Sequence, residues 1–469
     1  MPNSYLRKPK CFLTKSRTQN ITIELISPKE FKKWLSKQDK VLKKSITESS
    51  FEGKQGQVYL AQDKKGQIKK AIAGSSDPFS LYDFSHIANK LKQHLSAPTL
   101  KKASFSIKAS KNAEQACIGW AIACYNFDNY KDNNQTYPSL VWPKGVNKTR
   151  VNSTAEAIYI IRDLVNTPAN DMGPAELEKA SRELAKNHKA TIKVTGDKVL
   201  KTDFPLIFAV GDSSPRRPRL IDIKWGNPKH PKVTLVGKGV CFDTGGLDLK
   251  PSQYMALMKK DMAGAAHVLA LARMIMGIKL PIRLRVLIPA VENSVSGCAF
   301  RPGDVFNTRK GLKVENKNTD AEGRLILADA LTYACEEKPD LVIDFCTLTG
   351  SARAALGPDI PAIFSNMDKI GDELEAVSYK SEDPLWRMPL WQPYRKMIES
   401  DIGDLVNSAG VPGDLIYSAL FLESFLKNDT DWIHLDIFSW TNSGKPGRPK
   451  GAADTGMRAV FSYLEKKYS

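Results

Sequence analysis

Three short stretches concentrate side chains able to do chemistry. GKGVCFDTGGLDLKP carries Lys238, Asp243 and Lys250, MKKDMAG carries Asp261, and NKNTDAEGRLILADALTYA carries Asn318, Asp320, Glu322 and Arg324. Each feature has a plain alternative. Asp243-Thr-Gly-Gly reads also as a turn, Asp320 and Glu322 as helix caps, and Lys238 as a lysine snorkelling out of a strand. Taken together they gather four carboxylates and two lysines. Carboxylates crowded into one cleft repel each other and protonate unless cations neutralise them. A pair of divalent ions removes that conflict, and a carboxylate-rich shell suits Mn²⁺, Mg²⁺ or Zn²⁺. Histidine is scarce, at six residues. Only His267 lies near these stretches, and on a helix among alanines it reads as a packing residue. The residues alone point to a dimetal hydrolytic site and leave its substrate open.

The elements that must position these groups follow from hydrophobic periodicity. Pro231–Phe242, Ile282–Ala290 and Leu341–Leu348 read as buried strands, and Gly264–Met276 and Leu325–Cys335 as helices. Such alternation predicts an α/β catalytic domain with a central, largely parallel sheet flanked by helices. Ligands bind outside the carboxyl ends of such strands, where the chemically loaded residues fall. Upstream, a helix over Ser153–Val165 carries Ile158, Ile161 and Val165 at helical spacing and ends near Asn166-Thr167-Pro168. The domain boundary is placed here, with a smaller α/β domain over residues 1–150 and the catalytic domain over 151–469. In the first domain Ile21–Ile26 and Gln57–Ala61 read as strands between lysine-rich helical stretches. Asp128–Thr136 reads as a polar loop.

A length of 469 residues exceeds what one core usually supports, in keeping with two domains. With 42% apolar and 26% charged residues the chain has the composition of a globular protein rather than a disordered one. The net charge is +18, and residues 1–150 hold 27 Lys+Arg against 11 Asp+Glu, whereas the rest hold 42 against 40. A basic first domain offers a nucleic-acid partner. A solvated lysine surface is the plainer reading, since arginine and aromatics are not interleaved with the lysines. Seven scattered cysteines without a C-x-x-C pair argue against a disulfide framework and for a reducing compartment, the cytoplasm. Neither a secretory h-region nor an apolar run of about 18 residues is present, so no membrane partner is expected.

At the loaded stretches the sequence closely resembles the leucyl aminopeptidase (cytosol aminopeptidase) family. The signature NTDAEGR stands intact as Asn318–Arg324. LVGKGVCFDTGGLDLKPS, MKKDMAGAAHV, TLTGSARAALG, RDLVNTPANDMGPAEL and PLWRMPLWQPYRKMIESDIGDLVNSAG resemble further blocks, in the expected order. GWAIACYNFDNYK resembles the end of the family's N-terminal domain. The likeness runs from about residue 119 onward, and residues 1–118 show none of it by eye. It implies an aminopeptidase acting on peptides, with leucine or another apolar residue favoured at the N-terminus. Asp243, Asp320 and Glu322 would bind one metal, and Lys238, Asp243, Asp261 and Glu322 the second, with Mn²⁺ or Zn²⁺ as the ions. Lys250 would polarise the scissile carbonyl, and Arg324 would hold a bicarbonate acting as general base. Met258, Asn318, Thr347, Leu348 and Gly350 would contact the substrate. A homohexamer is the implied assembly. PGDLIYSALFLESF, HLDIFSW and GAADTG depart from the family's pattern, which bears on the pocket's shape and on none of the proposed ligands.

Two rivals come from other classes. In one, the basic first domain binds DNA and the second is a scaffold, a reading that loss of a ligand would favour. In the other, the carboxylates serve a dimetal phosphohydrolase, which the intact signature and the lack of a phosphate-cradling glycine loop disfavour.

Overall fold

The computed structural model describes residues 4–469 apart from 64, 96–99, 101, 108–111, 132–135 and 428. Part of the loop expected over Asp128–Thr136 lies outside the described residues. The chain forms two compact units. One holds Arg7–Tyr159 with Ser443–Lys450, and the other holds Ile160–Asn442 and Gly451–Ser469 with the N-terminal end up to Leu6.

The smaller unit contains β1 (Phe12–Leu13), β2 (Asn20–Ile26), β3 (Val58–Gln62), β4 (Ile68–Gly74), β5 (Ser104–Ile107) and β6 (Ser139–Val141). They form one sheet in the order β1-β6-β5-β2-β4-β3, with β3 joining antiparallel to β4. Alternate residues Ile21 and Ile23 of β2 and Phe105 of β5 turn inward onto Phe84, Ile87 and Trp120. The helix Leu81–His94 starts on a capping box of Ser80 and Asp83, which satisfies exposed backbone donors at its first turn. The helix Pro28–Ser36, by contrast, buries no residue, and its lysines are solvated.

The larger unit adds β7 (Thr191–Thr195), β8 (Arg219–Trp225), β9 (Lys232–Gly237), β10 (Gly239–Asp243), β11 (Arg283–Asn293), β12 (Val305–Asn307), β13 (Lys313–Glu315), β14 (Leu341–Cys346), β15 (Ala362–Ser365), β16 (Trp386–Arg387), β17 (Leu405–Val406) and β18 (Trp432–Asp436). Its main sheet runs β16-β15-β18-β14-β9-β11-β8-β7, and β10 pairs with β11. The centre, β18-β14-β9-β11 with β10, is parallel, while β15 and β8 join it antiparallel. The apolar helices Ala263–Ile278 and Glu322–Glu336 pack on these central strands. Met258–Ile278 is long and apolar enough to cross a membrane, yet most of it is buried inside this unit.

The single strand expected over Pro231–Phe242 is two strands parted at Lys238. Lys238 N–H donates to the Phe345 carbonyl, and its own carbonyl accepts from Ala265 N–H, so the backbone leaves the ladder for one residue. The hydropathy run reads straight through because its neighbours on both sides are buried. A Cβ at Gly264 would lie 2.1 Å from the Phe345 carbonyl oxygen and 2.8 Å from Lys238 N. Only glycine lets the helix approach this break.

Candidate active site

Because β9, β10, β11, β14 and β18 are parallel, their carboxyl ends share one edge, and the loaded residues gather there. Lys238, in the break after β9, has a side chain only 4% exposed and does not snorkel. Its Nζ lies 2.7 Å from Asp261 Oδ2 and 2.8 Å from Glu322 Oε1, and it donates to the Thr347 carbonyl at 3.0 Å. Asp243 ends β10, and its Oδ1 accepts from Gly245 N–H (2.9 Å) and Asn293 Nδ2 (2.8 Å). The turn reading of that stretch holds too, since Gly245 and Gly246 take φ of +85° and +66°. Lys250 comes back to this cluster, 2.8 Å from Asp243 Oδ2, and pairs as well with Asp320.

The signature supplies the opposite side. Asn318 Oδ1 accepts from Asp320 N–H at 2.8 Å, capping the short turn Thr319–Ala321. Asp320 is thereby released from a capping role. Glu322 opens the long helix, and Gly323 follows with no side chain. A Cβ there would come within 2.7 Å of Lys238 Nζ. Thr347, just past β14, donates from Oγ1 to Asp261 Oδ1 at 2.7 Å, and Leu348 N–H donates to Asp436 Oδ1 at 2.9 Å. His267 is buried in the core, its Nδ1 2.7 Å from the Ala263 carbonyl.

Burial sets the electrostatics. It pushes the Glu322 carboxyl up to about 8, with Asp243 adding to the rise, and the same two causes bring Asp320 to about 6. Burial also works against the Asp243 carboxylate, but Lys250 and Lys238 overcome it and hold its pKa below the ordinary value. Burial opposes the Lys238 ammonium, yet Asp261 and Glu322 keep it well above the usual lysine value. Positive charge among these carboxylates is thus already in demand. One oxygen each from Asp243, Asp320 and Glu322 fall within 4.8 Å of one another, and Glu322 Oε2 is buried with no hydrogen-bond partner among the described residues. Converging hard oxygen donors with one left unsatisfied fit a divalent cation.

A cavity of about 530 Å³ opens onto this cluster, and Lys250, Met258, Asn318, Arg324, Thr347, Leu348 and Gly350 line it with the five proposed ligands. Arg324 donates from Nη1 to the Asn407 carbonyl (2.5 Å) and from Nη2 to Asp414 Oδ1 (3.0 Å), while its buried Nε has no partner among the described residues. Sequence reasoning missed Asn293, which orients Asp243. It also passed over Lys260, Arg353 and Phe438, which line the same cavity. Burial pushes the Lys260 ammonium down to about 8, partly offset by Asp261. Its signal was present in MKKDM, as Arg353 was in TLTGSARAALG, but a charge beside a motif looks like surface until its burial is known.

An acidic, lysine-threaded cluster at the carboxyl edge of a mixed α/β sheet defines a metal-dependent hydrolase. Residues 159–461 match the cytosol aminopeptidase family, catalytic domain, and residues 21–143 the M17 aminopeptidase, N-terminal domain. A probable cytosol aminopeptidase of Syntrophotalea carbinolica is 37% identical over 387 residues, 78% of each chain. The crystal structure of a cytosol aminopeptidase from Coxiella burnetii superposes with TM-score 0.92 at 44% identity, covering 98% of this chain and 100% of that one. The bottromycin maturation enzyme BotP, in complex with Mn, superposes with TM-score 0.84 at 28% identity, covering 96% of this chain and 100% of its own. The chain belongs to the cytosol aminopeptidase family, and it is a metallo-aminopeptidase. The likeness extends well into the first 118 residues, where no resemblance is visible by eye.

Proposed function

We propose that the protein removes the N-terminal residue of peptides with a pair of divalent ions, Mn²⁺ or Zn²⁺, held by Lys238, Asp243, Asp261, Asp320 and Glu322. The observation that carries this reading is the convergence of Asp243, Asp320 and Glu322 oxygens within 4.8 Å, beside an unsatisfied Glu322 Oε2. Bound there, such ions supply a Lewis acid and a water acidic enough to attack near neutral pH. Lys238 would hold an ion only as the neutral amine, giving up one Nζ proton to solvent. Lys250 Nζ, among the same carboxylates, faces the scissile carbonyl and stabilises its developing oxyanion. With Asp243, Asp261, Asp320 and Glu322 as ligands, the family resemblance implies that a bicarbonate at Arg324 removes the proton. The free Nε–H of Arg324 at a helix N-terminus suits a small anion.

Met258, Asn318, Thr347, Leu348 and Gly350 border the substrate in this reading. Leucine or another apolar first residue, expected from the sequence, meets only part of the wall: Met258, Leu257 and Ile437 suit it, whereas Lys260 and Arg353 do not. A cytoplasmic compartment is supported by seven free cysteines and by relatives bearing the cytosol aminopeptidase name, and a homohexamer is the assembly that the family resemblance implies. Light scattering that gives a mass other than six chains would remove the assembly from the reading.

The test of the activity uses Mn²⁺-loaded protein with amino-acid anilides, their N-acetylated forms and a phosphate ester. Cleavage of free-amine anilides alone is expected. Turnover of the phosphate ester without the anilides would overturn the reading.

A further inference from the structure

Two cations share the active-site cavity without an ion-pair partner among the described residues, Lys260 and Arg353. Lys260 is only 5% exposed. Its Nζ stands 4.5 Å from the centre of the Phe438 ring, and the Arg353 guanidinium carbon stands 4.9 Å from the same centre. The carboxylates with most influence on Lys260 are Asp261 and Asp436. Both are engaged elsewhere. Asp261 meets Lys238 and Thr347, and Asp436 accepts from Leu348 N–H, Thr349 N–H and Thr349 Oγ1. An aromatic face compensates only part of the cost of burying an ammonium. Keeping such a charge on the wall of a substrate cavity makes sense when the substrate brings the counter-charge.

The position of the pair says which part of a peptide that is. Lys260 directly precedes Asp261, and Arg353 lies one turn into the helix Gly350–Leu356, which begins just after Thr347 and Leu348. Both therefore extend the wall that carries Met258, Thr347 and Gly350. In the reading above, the α-amine and scissile carbonyl are held at the carboxylates and Lys250, so the first residue's side chain is the group that turns toward this wall. We propose that Lys260 and Arg353 select peptides whose N-terminal residue has an acidic side chain, glutamate or aspartate, with its carboxylate between the two cations beside Phe438. This inference rests on the aminopeptidase reading. A site built to pair a buried charge discriminates strongly against substrates that lack the partner, because the charge is then left unpaired.

The experiment measures kcat/KM of the Mn²⁺-loaded full chain on glutamyl, glutaminyl and leucyl anilides, none of which has a C-terminal carboxylate. Glutamyl anilide is expected to exceed both others by at least about 100-fold, since a site that pairs a substrate's polar group rejects analogues lacking it strongly. The glutamyl-to-leucyl ratio should fall by about tenfold or more in Lys260→Met and, separately, in Arg353→Leu. Arg353 is exposed, so the second variant carries the test should the first not fold. Leucyl turnover with glutamyl anilide no better than glutaminyl, or a ratio unmoved in the Arg353 variant, overturns this inference and leaves the aminopeptidase reading standing. Turnover of none of the anilides overturns both.

Discussion

In the smaller unit Lys29 and Lys44 stand 80% and 79% exposed while paired with Asp77 and Glu48. In the larger unit Lys238 and Lys250 are 4% and 13% exposed, and each touches two carboxylates. The first group makes up the conspicuous charge of the chain, +16 within residues 1–150, and the second is hidden in a region that is nearly neutral overall. Exposed pairs are worth about 0–1 kcal/mol and fade with salt. Buried ones fix which groups hold protons. Net charge therefore located lysines that are bathed in water, and the chemistry sits where charges cancel.

Four measurements break or sharpen that contrast. Glu322→Gln removes a carboxylate while keeping its shape, and kcat/KM should drop by at least about 10³-fold with loss of bound metal in elemental analysis. Full activity in that variant would mean the buried cluster is only structural. Trp120→Ala, in the core of the smaller unit, deletes a fully buried ring whose Nε1 donates to the Pro138 carbonyl. Calorimetry should record a loss of about 3–5 kcal/mol, with turnover of the folded protein unchanged. A catalytic defect instead would show that this unit does more than pack.

The third measurement concerns pH. His434 of β18 has Nδ1 2.5 Å from Asp344 Oδ1, and although burial opposes its charge, Asp344 raises its pKa above the ordinary 6.5. The folded state thus binds this proton more tightly than the unfolded one. The stabilisation is complete below about pH 6.5 and disappears as pH climbs through the raised folded value. Melting temperature should fall over that range in the parent and less steeply in His434→Gln; equal slopes would contradict the assignment. The smallest effect belongs to Lys29→Ala with Lys44→Ala, which should leave both the melting temperature and kcat/KM essentially unchanged. A large change in either quantity would undo the contrast.

What the sequence made legible follows the same division. Asp243, Asp261, Asp320 and Glu322 were readable as a candidate cluster because the proposed coordination demands particular atoms, and few residue types provide them. The helices and central strands around them were readable from periodicity. The pause at Lys238 was not, since one residue leaving the ladder does not alter the pattern of buried neighbours. The smaller unit resisted recognition by eye because Ile21, Phe105 and Leu140 need only be apolar and of suitable size, a requirement many sequences meet. Lys260 and Arg353 were visible as letters, but their meaning depends on burial, which composition does not encode.

Gly323 leaves room for the Lys238 side chain against the first turn of its helix. Alanine, the mildest replacement available, would therefore crowd that side chain. By a single methyl group it would force the Lys238 ammonium to shift against the two acids it touches, and anyone wishing to perturb this enzyme without altering a donor atom could begin at that glycine.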